Sequence, residues 1–131
     1  MKKILIVEDH KGLREAYKML LERNGYEVEV ANDGQLGLDK ATTQTYSLIL
    51  LDMLMPNMGG IEFLKKFQPL THPETKVVVF SNLDDVMLMK ESLDLGAKRY
   101  LTKAIIEPEE MLSYVREDAG VDTDKNSAEV K

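Results

Sequence analysis

The sequence predicts an α/β fold: a three-layer sandwich with a parallel sheet of five strands flanked by five helices. Three observations predict it. Short runs of Val, Ile and Leu recur along the chain, amphipathic stretches of helical period separate them, and each run ends on polar residues. The order is strand then helix throughout, and such alternation closes into a parallel sheet through right-handed crossovers.

The first run, KILIV (3–7), is apolar on both faces, as a strand covered on both sides must be. Leu13, Ala16, Tyr17, Leu20 and Leu21 then fall at helical spacing, and Asn24–Gly25 stops that helix. YEVEVA (26–31) alternates instead, with Glu27 and Glu29 on one face, so it is expected at an edge. A weaker helix over 33–43 contains Gly34 and Gly37, which lower its propensity. SLILL (47–51) is the third strand. The helix after it is marked by Ile61, Leu64 and Phe67 and ended by Pro69. KVVVF (76–80) is the fourth strand, followed by a helix whose stripe reads Val86, Met89 and Leu93, with Gly96 as its C-terminal cap. Met87 and Leu88 fall off that stripe and are expected either as extra core or as an exposed docking patch. KRYL (98–101) is the weakest strand signal. Pro108 with Glu109 and Glu110 opens the last helix, since proline suits a first turn and acids there oppose the helix dipole. Residues 2–117 are expected to form one domain, and 118–131, polar and aperiodic, a disordered tail.

Composition narrows the function. The 131 residues carry a net charge of −6, which argues against a nucleic-acid face, where clustered Lys and Arg are needed. There is no cysteine, so disulfides and thiolate metal sites are excluded. No apolar run approaches the length of a membrane span, and a cytoplasmic location is the expectation. The Met53, Met55 and Met58 cluster suits gap-filling packing, because thioethers favour soft metals.

Parallel strands bring their carboxyl ends to one edge, where open α/β sheets bind ligands. Here those ends are Glu8–Asp9, Asp52, Ser81 and Thr102–Lys103. Three close carboxylates repel one another unless a cation lies among them. An all-oxygen set favours Mg²⁺, with Mn²⁺ also suitable. A magnesium site uses one or two carboxylates, leaving another free to attack phosphorus as an aspartyl nucleophile. Lys103 would neutralise phosphoryl charge, and Ser81 would donate a hydrogen bond. Each residue also has a plainer reading. Asp52 would serve as a turn residue, Glu8 or Asp9 as the cap of the first helix, Ser81 as the cap of the fourth, and Lys103 and His10 as solvated surface groups.

Four stretches, ILIVEDH, DMLMPNMGG, VVVFS and GAKRYLTK, together resemble the receiver domains of two-component response regulators, in the order and spacing of that family. The resemblance covers residues 2–117. It implies a strand order of 2-1-3-4-5 and Asp52 as phosphoacceptor. It implies Mg²⁺ held by Asp9, Asp52 and the Leu54 backbone carbonyl, with Glu8 assisting through water. It also makes Lys103 the phosphate partner, Ser81 the hydroxyl that moves onto the phosphoryl group, and Tyr100 the ring that follows. The expected role is a non-enzymatic signalling switch that takes phosphoryl groups from a sensor histidine kinase or phosphotransfer protein. It would then alter the face built by the fourth helix, fifth strand and fifth helix for an unidentified downstream protein, as a monomer or a phosphorylation-dependent dimer. No direct contact with nucleic acid or membrane is expected.

The chain departs from the family pattern where Ala104 follows Lys103 in place of proline, which predicts a trans bond there, since a non-proline cis bond costs ~3–4 kcal/mol. Asn82 stands where a small residue is usual. Leu54 and Leu83 are apolar and are expected to hinder an attacking water, giving a long-lived phosphoryl group. These departures keep open an alternative, a degenerate receiver that docks partners without phosphorylation. An aspartate-nucleophile phosphatase is disfavoured because Leu54 stands where a second acid is needed. A flavodoxin-like cofactor binder is disfavoured because EDHKG offers acids where a phosphate loop needs Ser, Thr and Gly.

Overall fold

The computed structural model describes residues 2–121, and most of the segment expected as a tail (122–131) lies outside the described residues. Five strands and five helices alternate: β1 Lys3–Val7, α1 Lys11–Arg23, β2 Glu27–Ala31, α2 Gly34–Thr43, β3 Leu48–Leu51, α3 Gly60–Phe67, β4 Lys76–Ser81, α4 Val86–Asp94, β5 Arg99–Thr102 and α5 Pro108–Ala119. All pairings are parallel and the order is β2-β1-β3-β4-β5, with Ile4 opposite Leu48 and Ser81 opposite Thr102. β2 lies at an edge, as its alternation predicts. Its outward Glu29 accepts from the Tyr46 hydroxyl at 2.9 Å and pairs with Lys3 at 3.2 Å. The first of these bonds satisfies a buried phenol.

Successive residues of each buried strand enter opposite cores, the period-2 consequence of the pleat. Ile4, Ile6, Leu48, Leu50, Val78 and Phe80 pack on α1 and α5 through Tyr17, Leu21, Met111 and Val115. Leu5, Val7, Ile49, Leu51, Val77 and Val79 pack on the other face with Phe63, Leu64 and Phe67. Met53 and Met58 are buried in that second core, in keeping with a packing role. The glycines of α2 have a structural reason. A Cβ on Gly37 would lie 2.8 Å from a Val7 methyl. Its absence lets α2 seat against β1.

Two helical stripes differ from the expectation. On α1, Ala16 is exposed, while Tyr17 and Leu21 are buried with Leu13 and Leu20 partly so. On α4 the inward row is Leu88, Ser92 and Leu95, not Val86, Met89 and Leu93. The Ser92 hydroxyl donates back to the Leu88 carbonyl at 2.8 Å and also reaches Met53 Sδ at 3.7 Å. Those partners allow a polar side chain to be fully buried there. Val86 and Met87 are consequently 74% exposed. They form an apolar outer surface on α4. Gly96 takes φ 108 just past α4, and Glu107 with Glu110 forms a capping box ahead of α5. α5 continues through Ala119, two residues into the segment expected as tail.

Candidate functional site

The carboxyl edge gathers Glu8, Asp9, Asp52, Ser81 and Lys103 around one open cleft of about 310 Å³, lined also by His10, Leu13, Leu54 and Asn82. Asp52 follows directly on β3, and its backbone N–H donates to the Val7 carbonyl at 3.0 Å, so the sheet ladder fixes its position. Its Oδ1 accepts from the Met53 N–H at 2.8 Å, and its Oδ2 lies 3.7 Å from Lys103 Nζ. Among the described residues, ligand oxygens of Glu8, Asp9 and Asp52 lie within 4.8 Å of one another. That donor set has no sulfur and no imidazole nitrogen, and it fits a hard divalent cation.

The three acids are not equivalent. Glu8 is buried, with one oxygen against Lys103 Nζ and the other accepting from the His10 N–H at 3.2 Å. Both its oxygens already have partners within the chain. Asp9 is exposed and its carboxylate makes no hydrogen bond among the described residues, so it is the acid free to bind. Burial lifts the Glu8 carboxyl above its ordinary value; the Lys103 hydrogen bond opposes this and the Asp52 charge adds to it.

A raised folded-state value means that the charged form costs stability, a cost present above that value and gone below the unfolded value of 4.5. Lys103 keeps Asp52 as a carboxylate neighbour at 3.7 Å when Glu8 is neutral, so Glu8→Gln strands no ammonium and is expected to melt above the parent at pH 7 in metal-free buffer. The gap should close as the pH falls below about 4.5. Thermal melts across pH check this, and a variant that melts below the parent at pH 7 contradicts it.

Neither acid caps α1. His10 does, with Nδ1 accepting from the Leu13 N–H at 3.1 Å. The cap of α4 is Asp85, which accepts from Met87 and Leu88, leaving Ser81 as the last residue of β4. Ser81 Oγ is buried and accepts weakly from the Leu83 N–H at 3.4 Å. Lys103 is not a surface lysine, its side chain being only 8% exposed. No cis peptide bond occurs among the described residues, so Lys103–Ala104 is trans. The lysine is still aimed into the cleft, because its N–H donates to the Ser81 carbonyl at 2.8 Å. The turn behind it is closed by Ile105 and Ile106 N–H groups on the Thr102 carbonyl, each at 3.0 Å. Tyr100 is half-buried and its hydroxyl donates to the Leu83 carbonyl at 2.7 Å, tying β5 to the β4–α4 loop. Burial first, and then the Asp85 charge, pushes its phenol upward.

Some supporting residues had no signal in the sequence. Arg14 donates to the Glu8 and Asp9 carbonyls at 3.0 and 3.3 Å, clamping the loop that bears both acids. Phe80 lies under Lys103 Nζ, 5.9 Å from ring centroid to nitrogen, and against Tyr17. Tyr17 has its phenol pushed up to about 12 by burial and then by the charges of Glu8 and Asp52.

Comparison with known proteins adds a sequence profile described as the response regulator receiver domain, which matches residues 4–116. The chain is 34% identical over 131 residues to the response regulator ArlR of Staphylococcus saprophyticus, covering all of this chain and 58% of that protein. It spans about half the length of the curated relatives it matches. A CheY-like receiver domain protein from Methanospirillum hungatei superposes with a TM-score of 0.84 at 32% identity, covering 98% of each chain. The response regulator TrrA of Thermotoga maritima, solved in complex with Mg²⁺ and BeF, superposes with a TM-score of 0.78 at 27% identity, covering 89% of this chain and 98% of that one.

Proposed function

The chain belongs to the response regulator receiver domain family of two-component signalling, and from that premise we propose that it is a phosphorylation-operated switch with Asp52 as phosphoacceptor. The single observation that carries this reading is Asp52 at the mouth of an open cleft, with two further carboxylates beside it and Lys103 Nζ 3.7 Å from its Oδ2. An Asp52 carboxylate oxygen attacks phosphorus, a P–N or P–O bond of the donor breaks, and the departing group leaves with the electron pair and takes up a proton. Asp9 and Asp52, with the Leu54 carbonyl, would hold Mg²⁺, and Glu8 would assist without direct contact because both its oxygens are engaged. Bound there, the ion supplies charge neutralisation and orientation for the phosphoryl oxygens. The donor is a sensor histidine kinase or a phosphotransfer protein, and the location is the cytoplasm. The chain turns over no substrate of its own beyond its phosphoryl group, so it acts as a switch and not as an enzyme.

The output follows from the same geometry. New negative charge at Asp52 draws the Lys103 ammonium away from Glu8 and the Ser81 hydroxyl toward the phosphoryl oxygens. Ser81 holds the Leu83 N–H and Tyr100 holds the Leu83 carbonyl, so movement of Ser81 reaches Tyr100 and the start of α4. The apolar outer surface of α4, with β5 and α5, is the face presented to a downstream protein.

Incubation with a small phosphodonor tests the reading. One phosphoryl group should appear by intact mass with Mg²⁺ present and fail to appear when a chelator removes it. Uptake that ignores the chelator rejects the metal-dependent site. Leu54, 61% exposed at the cleft, offers an attacking water no hydrogen-bonding side chain, whereas Leu83, expected to hinder that water too, packs into the second core outside the cleft lining. The phosphoryl group is accordingly expected to outlast seconds, and Leu54→Asn to shorten its life. Loss of label from the parent within seconds contradicts this.

A further inference from the structure

The loop after Asp52 returns to α3 through two buried anchors, with an arm between them that is exposed but for Met55, which packs partly against the second core. Met53 is held at one end, its carbonyl accepting from the Gly60 N–H at 2.9 Å, and Met58 is buried at the other. The arm Leu54–Asn57 carries the backbone carbonyl read above as a cation ligand. Among the described residues it makes a single side-chain hydrogen bond: Asn57 Nδ2 donates to Asp33 Oδ2 at 2.8 Å. Asp33 is the N-cap of α2, its other oxygen accepting from the Leu36 N–H at 2.8 Å. One carboxylate therefore caps a helix with one oxygen and grips the loop with the other.

Two further features bring the loop onto this helix end. Asn57 turns the chain with φ 67, a left-handed conformation that asparagine tolerates better than most residues. Next to Asp33, a Cβ on Gly34 would lie 2.1 Å from the Met58 carbonyl oxygen, so only glycine permits the approach. Both hydrogen bonds lower the Asp33 carboxyl below its usual range, the Leu36 N–H more than Asn57, so the acceptor stays charged at neutral pH.

We propose that the Asn57–Asp33 hydrogen bond is a positioning brace that fixes the Leu54–Asn57 arm from the start of α2 and so sets Mg²⁺ affinity at the Asp9–Asp52 site. The proposal rests on the phosphoacceptor reading above, because it takes the Leu54 carbonyl as a ligand. Mg²⁺ demands near-ideal octahedral geometry, so a ligand on a loosened arm binds poorly even with every carboxylate in place. Residues that orient ligands from behind typically change metal affinity by roughly 10–100-fold. The exposed setting of Asn57 places this brace at the lower end.

The test is calorimetric titration of the folded 131-residue chain with Mg²⁺, beside thermal melts of each variant. Asn57→Gly keeps the left-handed turn and removes the donor. Asp33→Ser keeps a cap for α2 but is too short to reach the loop. Each is expected to weaken Mg²⁺ binding by about tenfold, and the two together no more than the weaker-binding single variant, since they break one link. The exchanged pair Asp33→Asn with Asn57→Asp reverses the donor and acceptor and should restore most of the affinity. Parent-like affinity in both single variants, while Asp9→Asn still abolishes binding, overturns the brace and leaves the phosphoacceptor reading standing. Weakened binding that the exchanged pair fails to restore also overturns it. A parent chain that binds no Mg²⁺ overturns both.

Discussion

Asp52→Asn is expected to abolish phosphoryl uptake from any donor while leaving the fold in place. The reason lies in the two oxygens. Oδ1 accepts from the Met53 N–H, and an asparagine carbonyl oxygen can do the same, so the turn out of β3 survives. Oδ2 faces Lys103 and the cleft, and an amide nitrogen there is no nucleophile toward phosphorus. The loss is thus chemical and not structural. Intact-mass measurement should find no adduct on a variant whose melting stays cooperative. Residual uptake near the parent level would mean that another residue is the acceptor.

Lys103→Met is expected to have the largest effect on stability. The side chains of Lys103 and Glu8 are 8% and 4% exposed, and Lys103 is the buried cation of the acidic cluster among the described residues, against Glu8 and 3.7 Å from Asp52. Removing one partner of a buried pair leaves the other charge without compensation and costs roughly 3–5 kcal/mol. Protonation of the carboxylates limits the cost, so about 3 kcal/mol at pH 7 in metal-free buffer is expected. Without the ammonium the Glu8 carboxyl rises further, so the penalty is present at neutral pH and relieved as the pH falls and Glu8 protonates. The double variant with Glu8→Gln should recover part of the loss, since Glu8 then carries no charge, while Asp52 keeps the Met53 N–H but loses its ammonium neighbour. Chemical denaturation at two pH values checks both parts. A pH-independent deficit, or one the double variant does not lessen, contradicts this role for the pair.

The sheet was legible because burial on both faces leaves an unambiguous signature: Ile4–Val7, Leu48–Leu51 and Val77–Phe80 have no polar residue to spare for solvent. The gathering of Asp9, Asp52 and Lys103 was legible for a related reason, since parallel strands place all their carboxyl ends together. α4 was not legible. Val86, Met87, Leu88, Met89, Leu93 and Leu95 leave apolar residues on every side of the helix, so periodicity cannot choose a face. The residue that decides it is Ser92, a polar side chain buried by its bond to the Leu88 carbonyl. The caps of α1 and α4 were open in the sequence because several acceptors precede each helix, and only the backbone path selects His10 and Asp85 over the plainer readings of Glu8, Asp9 and Ser81. The aim of Lys103 without a following proline was open for the same reason: it depends on the Lys103 N–H to Ser81 carbonyl bond, a cross-strand contact. Arg14 and Asn57 act through backbone and loop contacts that leave no spacing pattern in the chain.

Peptide-level mapping of the phosphoryl group after Mg²⁺-dependent labelling tests the phosphoacceptor assignment most directly. A single modified peptide is expected, with the added group on Asp52. A phosphoryl group on Glu8, Asp9 or either histidine, or no modified peptide from a folded chain, would contradict it.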